Sequence, residues 1–255
     1  AVEHCDGSAA VATASEGEPR TLAAFVSWDS QKKQELERDP NVADADAAGR
    51  AWRRGQIDRR VDEVHAALDG ANAALNRVLF SEDETYCRVD RECLVYGHSF
   101  GGATTASCAL EPSARAARFS HAFLYDPWIE LSGDDLYPCR PELFAAKEPP
   151  RSLKSLGIWR DGQSRLWKTC KHNMDALAAM LPDRSFVHDE PLCGHNAQTD
   201  VVVVFSKGPL ACVFRALKGS DSKGGPDPLD VLNRTSDQTV AALHDWFLPA
   251  PSLDN

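Results

Sequence analysis

A short apolar run, Glu92-Cys93-Leu94-Val95-Tyr96, meets Gly97-His98-Ser99-Phe100-Gly101 and then the small, helix-compatible stretch Ala103 to Leu110, which stops before Pro112. An apolar run of this length bounded by glycine reads as a strand buried on both faces, as in a parallel sheet. Gly-x-Ser-x-Gly at a strand-to-helix turn has a mechanical meaning. The serine takes a strained conformation that projects its hydroxyl, and the two glycines keep side chains out of the crowded positions around it. The helix that starts there points its N-terminal amides at the same place, so the N–H of Phe100 is the expected oxyanion donor. The sequence context therefore predicts Ser99 as an activated nucleophile.

The alternation of strand and helix continues along the chain. Apolar residues recur at helical spacing from Asp44 to Leu79 (Ala48, Trp52, Ile57, Val61, Val64, Leu68), with Gly70 as the expected weak point. Phe119 to Tyr125, Leu153 to Trp159 and Ser185 to His188 read as further strands, and Leu166 to Leu181 as an amphipathic helix closed by Pro182. Gln198 to Phe205 reads as a strand by its valines and as a helix by its position, and position favours the helix. Ser220 to Pro228 has the composition of a surface loop. Ser236 to Phe247 reads as a closing helix, capped by Ser236, with Val240, Leu243 and Phe247 on one face. This order predicts an α/β fold, mainly a parallel sheet with helices on both faces. A single domain over residues 1–249 with a tail at 250–255 follows from the length of 255 residues.

A triad needs an acid and a base after the serine, in the order Ser, Asp or Glu, His, each past the end of a later strand. Asp126 directly follows Phe119 to Tyr125 and precedes Pro127; its alternative is a turn cap. Of the eight histidines, His195 in Cys193-Gly194-His195-Asn196 follows a strand across a short loop, and His188 inside that strand is the runner-up. Trp128, beside Asp126, is a candidate either for lining an acyl or headgroup pocket or for core packing. Cys193 reads as a buried thiol rather than a redox or nucleophilic one.

The formal charge of −10 disfavours nucleic acid as a partner. Arg50, Arg53, Arg54, Arg59 and Arg60 are interleaved with Asp58, Asp62 and Glu63, the pattern of a solvated helix face. The eight cysteines form no Cys-x-x-Cys pair, so a metal signature is lacking and neither metal nor organic cofactor is expected. No stretch reaches the roughly 18 apolar residues of a membrane-spanning helix. Because the chain opens on Ala1-Val2 without a basic region and apolar run, its targeting information is expected to lie elsewhere, and its compartment is left open.

At these residues the chain resembles the platelet-activating factor acetylhydrolase family, the plasma and intracellular calcium-independent phospholipases A2 of the α/β-hydrolase fold. The resemblance rests on Val2-Glu3-His4 with Asp6 and Ser8, on Gly97 to Thr104, on Leu124 with Asp126 and Trp128, and on His195. It implies Ser99 as nucleophile, Asp126 as acid, His195 as base, and substrate contacts at Trp128 and Asn196. It also implies the substrate: a glycerophospholipid with a short or oxidised sn-2 acyl chain, met as a lipid or at a membrane or lipoprotein surface. Cys5 stands where the family carries a basic residue, and Asn196 where it carries glutamine. Against the family, the chain starts in the middle of the fold, so the first strands and the turn supplying the second oxyanion donor are expected upstream of Ala1. The competing expectations are a general carboxylesterase or polyester hydrolase, and a hydrolase-like lipid-binding module without catalysis.

Overall fold

The computed structural model describes residues 11–13, 21–24, 33–79, 93–110, 118–132, 135–137, 152–161, 170–181, 183, 185–190 and 228–247. A parallel sheet in the order β3-β4-β7-β8 organises them, built from β3 (Cys93–His98), β4 (Phe119–Tyr125), β7 (Ser155–Asp161) and β8 (Ser185–Glu190). Two antiparallel pairs stand apart from it, β1 (Val11–Thr13) with β2 (Thr21–Ala24), and β5 (Glu130–Ser132) with β6 (Asp135–Tyr137).

β4 is buried from end to end except for a half-buried Tyr125, the pattern of a central parallel strand covered on both faces. On one face Val95, Ala122, Leu124, Leu156 and Ile158 join the main apolar core. That core is closed by α3 (Phe100–Leu110), by Ile57 and Val61 of α2 (Ala45–Leu79), and by Met174 and Leu177 of α4 (Cys170–Ala179). A short helix, α1 (Lys33–Arg38), precedes α2. Gly102 to Leu110 of α3 are all buried, which a helix sustains only when its side chains are small and it is covered on every side. On the opposite face Phe123, Phe186 and Trp246 pack with ring centroids 5.3 to 6.1 Å apart. Trp246 belongs to α5 (Pro228–Phe247), and Tyr125 Oη bonds Thr239 Oγ1 of that helix at 2.7 Å.

Several sequence expectations shift. α2 is capped by Asp44, whose Oδ1 accepts from Ala47 N at 2.9 Å. It runs unbroken through Gly70, because one glycine costs only about 1 kcal/mol and alanines and leucines surround it. α3 begins at Phe100, three residues before the expected Ala103. β7 begins at Ser155 rather than Leu153, since pairing with β4 starts at His121 opposite Ser155. The closing helix starts at Pro228, so Ser236 is no cap but lies inside it; proline suits the first helical turn because the amide it lacks has no partner there. Its buried face runs through Val231 and Thr235 to Trp246, whereas Val240 is 61% exposed. Gln198 to Phe205 and the residues of Ser220 to Pro228 before Pro228 lie outside the described residues. Among the described residues no helix is long and apolar enough to cross a membrane.

β7 and β8 are locked at their ends by Arg160. Its Nε and Nη2 donate to both carboxylate oxygens of Asp189 on β8, the latter at 2.8 Å, and its Nη1 donates to Asp175 of α4. Burial alone would lower the guanidinium pKa, but the bonds to Asp189 and Asp175 raise it above its ordinary value. The Arg160 bond holds the Asp189 carboxyl below the usual carboxylate range, against the opposing effect of burial. A depressed folded pKa contributes stability that is present above the unfolded value near about 3.9 and is lost as the pH falls through the folded one. Asp189→Asn is therefore expected to destabilise the fold by about 1 kcal/mol at pH 6. In urea titrations that difference should shrink as the pH falls from about 4 towards 2.5. A difference that persisted unchanged in acid would show that the ion pair is not its source.

Candidate active site

Ser99 occupies the single residue between β3 and α3 and has φ of 57°. A side chain in this left-handed region is disfavoured by roughly 1–2 kcal/mol, so its surroundings must hold it there. They do so through three backbone bonds. Ser99 N donates to Tyr125 O at 3.0 Å, and Ser99 O accepts from Trp128 N at 2.9 Å and from Ala103 N at 3.2 Å. The first two tie the turn directly to the segment around Asp126.

The neighbouring glycines divide the steric work differently from expectation. A Cβ on Gly97 would lie 2.3 Å from the carbonyl oxygen of Gly101, and one on Gly102 would lie 2.7 Å from Pro127 Cβ. Gly101, the second glycine of the motif, would meet nothing within 4 Å. The crowded positions are thus Gly97 and Gly102, and the second is crowded by the loop after β4, a contact that the local motif does not encode.

Asp126 lies just beyond the tip of β4, is 1% exposed and has φ of 38°. Its N–H donates to Trp159 O of β7 at 2.7 Å. Ser99 and Asp126 are the only non-glycine residues with positive φ among the described residues. They sit just past the tips of adjacent parallel strands at the same end of the sheet, both in a backbone region that stores strain.

Phe100 opens α3, and the first amides of a helix lack an intrahelical acceptor. Its ring lies 5.6 Å from that of Trp128, and both rings are half-buried. Thr104 Oγ1 donates to Phe100 O at 3.1 Å, reinforcing the first turn. A cavity of about 360 Å³ opens on the α5 side of the turn, walled by Tyr96, Gly97, His98, Tyr125 and residues of α5.

His195 and Asn196 lie outside the described residues, as does Cys193. The parallel pairing of β8 places its last residue, Glu190, at the same end of the sheet as Ser99 and Asp126. The runner-up His188 is in β8, opposite Trp159 in register, with ring centroids 4.2 Å apart. Three inter-strand steps separate β8 from β3; at about 4.8 Å each, this places His188 on the order of 14 Å from the strand that carries Ser99. It is too distant to take the Ser99 proton. His65 packs on Phe119 at 5.2 Å, and His121 stacks on Trp246 at 5.5 Å while pairing with Ser155. His172 and His244 are exposed on helices.

The residues that the sequence reading missed are basic. Arg60 of α2 is only 9% exposed, and its guanidinium carbon lies 4.5 Å from the Phe100 ring centroid. The Arg53 guanidinium carbon is 5.3 Å from the centroids of both Phe100 and Trp128, and its Nη1 donates to Gln56 Oε1 at 2.9 Å. These arginines do not lie on a solvated face. Arg53 and Arg60 are seven residues apart and alternate with the buried Gln56, Ile57 and Val61, so helical position carried a signal that residue type concealed.

No curated protein and no solved structure matches the chain. The family model of platelet-activating factor acetylhydrolase, isoform II, matches residues 1–149, more than half of the 255 residues and including the whole turn around Ser99 and Asp126. The chain therefore belongs to the platelet-activating factor acetylhydrolase isoform II family, whose fold is the α/β-hydrolase fold.

Proposed function

We propose that this protein is a serine esterase that hydrolyses the short or oxidised sn-2 acyl ester of glycerophospholipids, releasing a lysophospholipid and a carboxylate. Platelet-activating factor would give its lyso form and acetate. The observation that carries the reading is the pair of positive-φ residues Ser99 and Asp126 at one end of the sheet, with Ser99 bonded to Tyr125 and Trp128 on either side of Asp126, in a chain of this family.

His195 removes the Ser99 hydroxyl proton as Oγ attacks the sn-2 carbonyl, and the carbonyl π electrons move to oxygen. The Phe100 N–H donates a hydrogen bond to that oxyanion. Asp126, buried beside the turn, orients the imidazole and supports its positive charge. Collapse of the tetrahedral adduct breaks the bond to the glycerol oxygen, which takes the proton from His195. Water, deprotonated by the same imidazole, then splits the acyl-enzyme and returns the proton to Ser99 Oγ.

The test compares a short-chain phosphatidylcholine with a simple aryl acetate as substrates of the full chain. A kcat/KM favouring the phospholipid supports the assignment; preference for the aryl ester indicates a general carboxylesterase, and binding of the phospholipid without turnover indicates a lipid-binding module. Asp126→Asn is expected to lower kcat by about a thousandfold to ten-thousandfold, because an amide stabilises the wrong imidazole tautomer. A loss under tenfold would remove Asp126 from the triad.

A further inference from the structure

The turn around Ser99 has a filled side and an open side. Towards α2, Phe100 and Trp128 pack with ring centroids 5.6 Å apart, and the guanidinium carbons of Arg60 and Arg53 lie 4.5 and 5.3 Å from the Phe100 centroid. Towards α5, the cavity of about 360 Å³ is walled by Gly97 and His98, the two residues before Ser99, by Tyr96 and Tyr125, and by α5 itself. Its volume lies within the range of small-molecule sites. Tyr96 and Val240, the large hydrophobic residues that stand exposed among the described residues at 65% and 61%, both belong to its wall.

The inner hydroxyls of that wall are committed among themselves. Thr235 Oγ1 donates to Val231 O at 2.8 Å, and Thr239 Oγ1 donates to Thr235 O at 2.7 Å. A hydroxyl has one hydrogen to give, so in the 2.7 Å bond between Tyr125 Oη and Thr239 Oγ1 the tyrosine is the donor. Burial raises the Tyr125 pKa above its ordinary value, against the lowering effect of the Thr239 bond, and the phenol stays neutral at pH 7. None of these three hydrogens is left for a ligand. What Tyr125, Thr235, Thr239, Leu232 and Val240 offer is carbon, as ring faces, methyls and aliphatic side chains. Side-chain polarity is left to the exposed Tyr96 and Ser236 and to His98, next to Ser99 in the chain.

We infer that this cavity is an acyl-chain site, in which the acyl group of an ester held at Ser99 runs past Gly97 and His98 into the space between Tyr125 and α5. The inference rests on the esterase reading and extends it, because it names α5 as the element that selects acyl length. The neutral, carbon-lined wall suits a saturated chain of a few methylenes. Each methylene taken out of water there contributes about fourfold to kcat/KM.

The experiment measures kcat/KM of the full chain, of Leu232→Trp and of Val240→Asp on an aryl acetate, butyrate and hexanoate. The wild type should gain at least about tenfold from acetate to hexanoate. Leu232→Trp, which fills the space, and Val240→Asp, which sets a charge at its exposed edge, should each cut the hexanoate-to-acetate ratio by at least about fivefold. The ratio is read within one preparation, so any misfolded fraction of a variant cancels from it. A wild type without gain along the series, or a ratio that either variant leaves unchanged, would overturn the inference and put the acyl chain elsewhere. A wild type that turned over none of the three esters would instead remove the esterase reading, and this inference with it.

Discussion

Ser99→Ala is expected to lower turnover of a short-chain phospholipid ester by about 10⁴-fold to 10⁶-fold, the range in which loss of a triad nucleophile falls. The hydroxyl is the group that changes from ester acceptor to acyl carrier, and water in the same place has neither its position nor its proton path. The fold should persist, because the turn is held by backbone bonds to Tyr125, Trp128 and Ala103, none of which uses the side chain. Stability offers an independent readout. At φ of 57° alanine is strained much as serine is, whereas glycine is not. Ser99→Gly should therefore be inactive yet more stable than Ser99→Ala by about 0.5–1 kcal/mol in urea denaturation, after the extra freedom of glycine in the unfolded chain is subtracted. An active alanine variant would end the account of Ser99, and a glycine variant less stable than alanine would contradict the strained turn.

The second large effect concerns the glycines. Gly97→Ala places a methyl 2.3 Å from the Gly101 carbonyl oxygen, 2.5 Å from its carbonyl carbon and 2.8 Å from Thr105 Oγ1. The first two are backbone atoms of the first turn of α3, so relief requires β3 and α3 to separate. A destabilisation on the order of 3 kcal/mol follows from such overpacking. Activity should fall by about a hundredfold or more, because a displacement near 1 Å at the nucleophile is enough for that. Gly101→Ala is the control, since no described atom lies within 4 Å of its Cβ and alanine is the better helix former by about 1 kcal/mol. It should be neutral or stabilising and remain within a few-fold of wild-type activity. Thermal melts and kcat values of the two variants check the contrast; the reverse order of damage would mean that the motif glycines act otherwise than through this packing.

The parts of the molecule that were legible in the sequence depend on neighbours in the chain. The run before Gly97 and the small residues after it specify strand, turn and helix locally. Asp126 is marked by the end of Phe119 to Tyr125 and by Pro127 directly after it. What was hidden depends on partners distant in sequence. Gly102, rather than Gly101, is crowded because Pro127 comes against α3. Arg53 and Arg60 looked solvated because their type suggests water, but α2 turns them onto Phe100 and Trp128. The long stems and flat heads of arginines allow such burial without separating the charge from polar groups. The closing helix was cut short at Ser236 because serine suits a cap. In the fold Thr235 and Thr239 donate to the carbonyls of Val231 and Thr235 instead, at 2.8 and 2.7 Å. These two hydroxyls, on either side of Ser236, are thus satisfied inside a helix that starts at Pro228.

If the hydroxyl of Ser99 is the attacking group, a fluorophosphonate should find it. The reagent phosphonylates a serine only when an adjacent base activates it. Intact-mass and peptide mass spectrometry of the labelled full chain should show one adduct, on Ser99, that is absent from Ser99→Ala and forms much more slowly in Asp126→Asn. An adduct on another residue, or labelling of Ser99→Ala at the wild-type rate, would contradict the account.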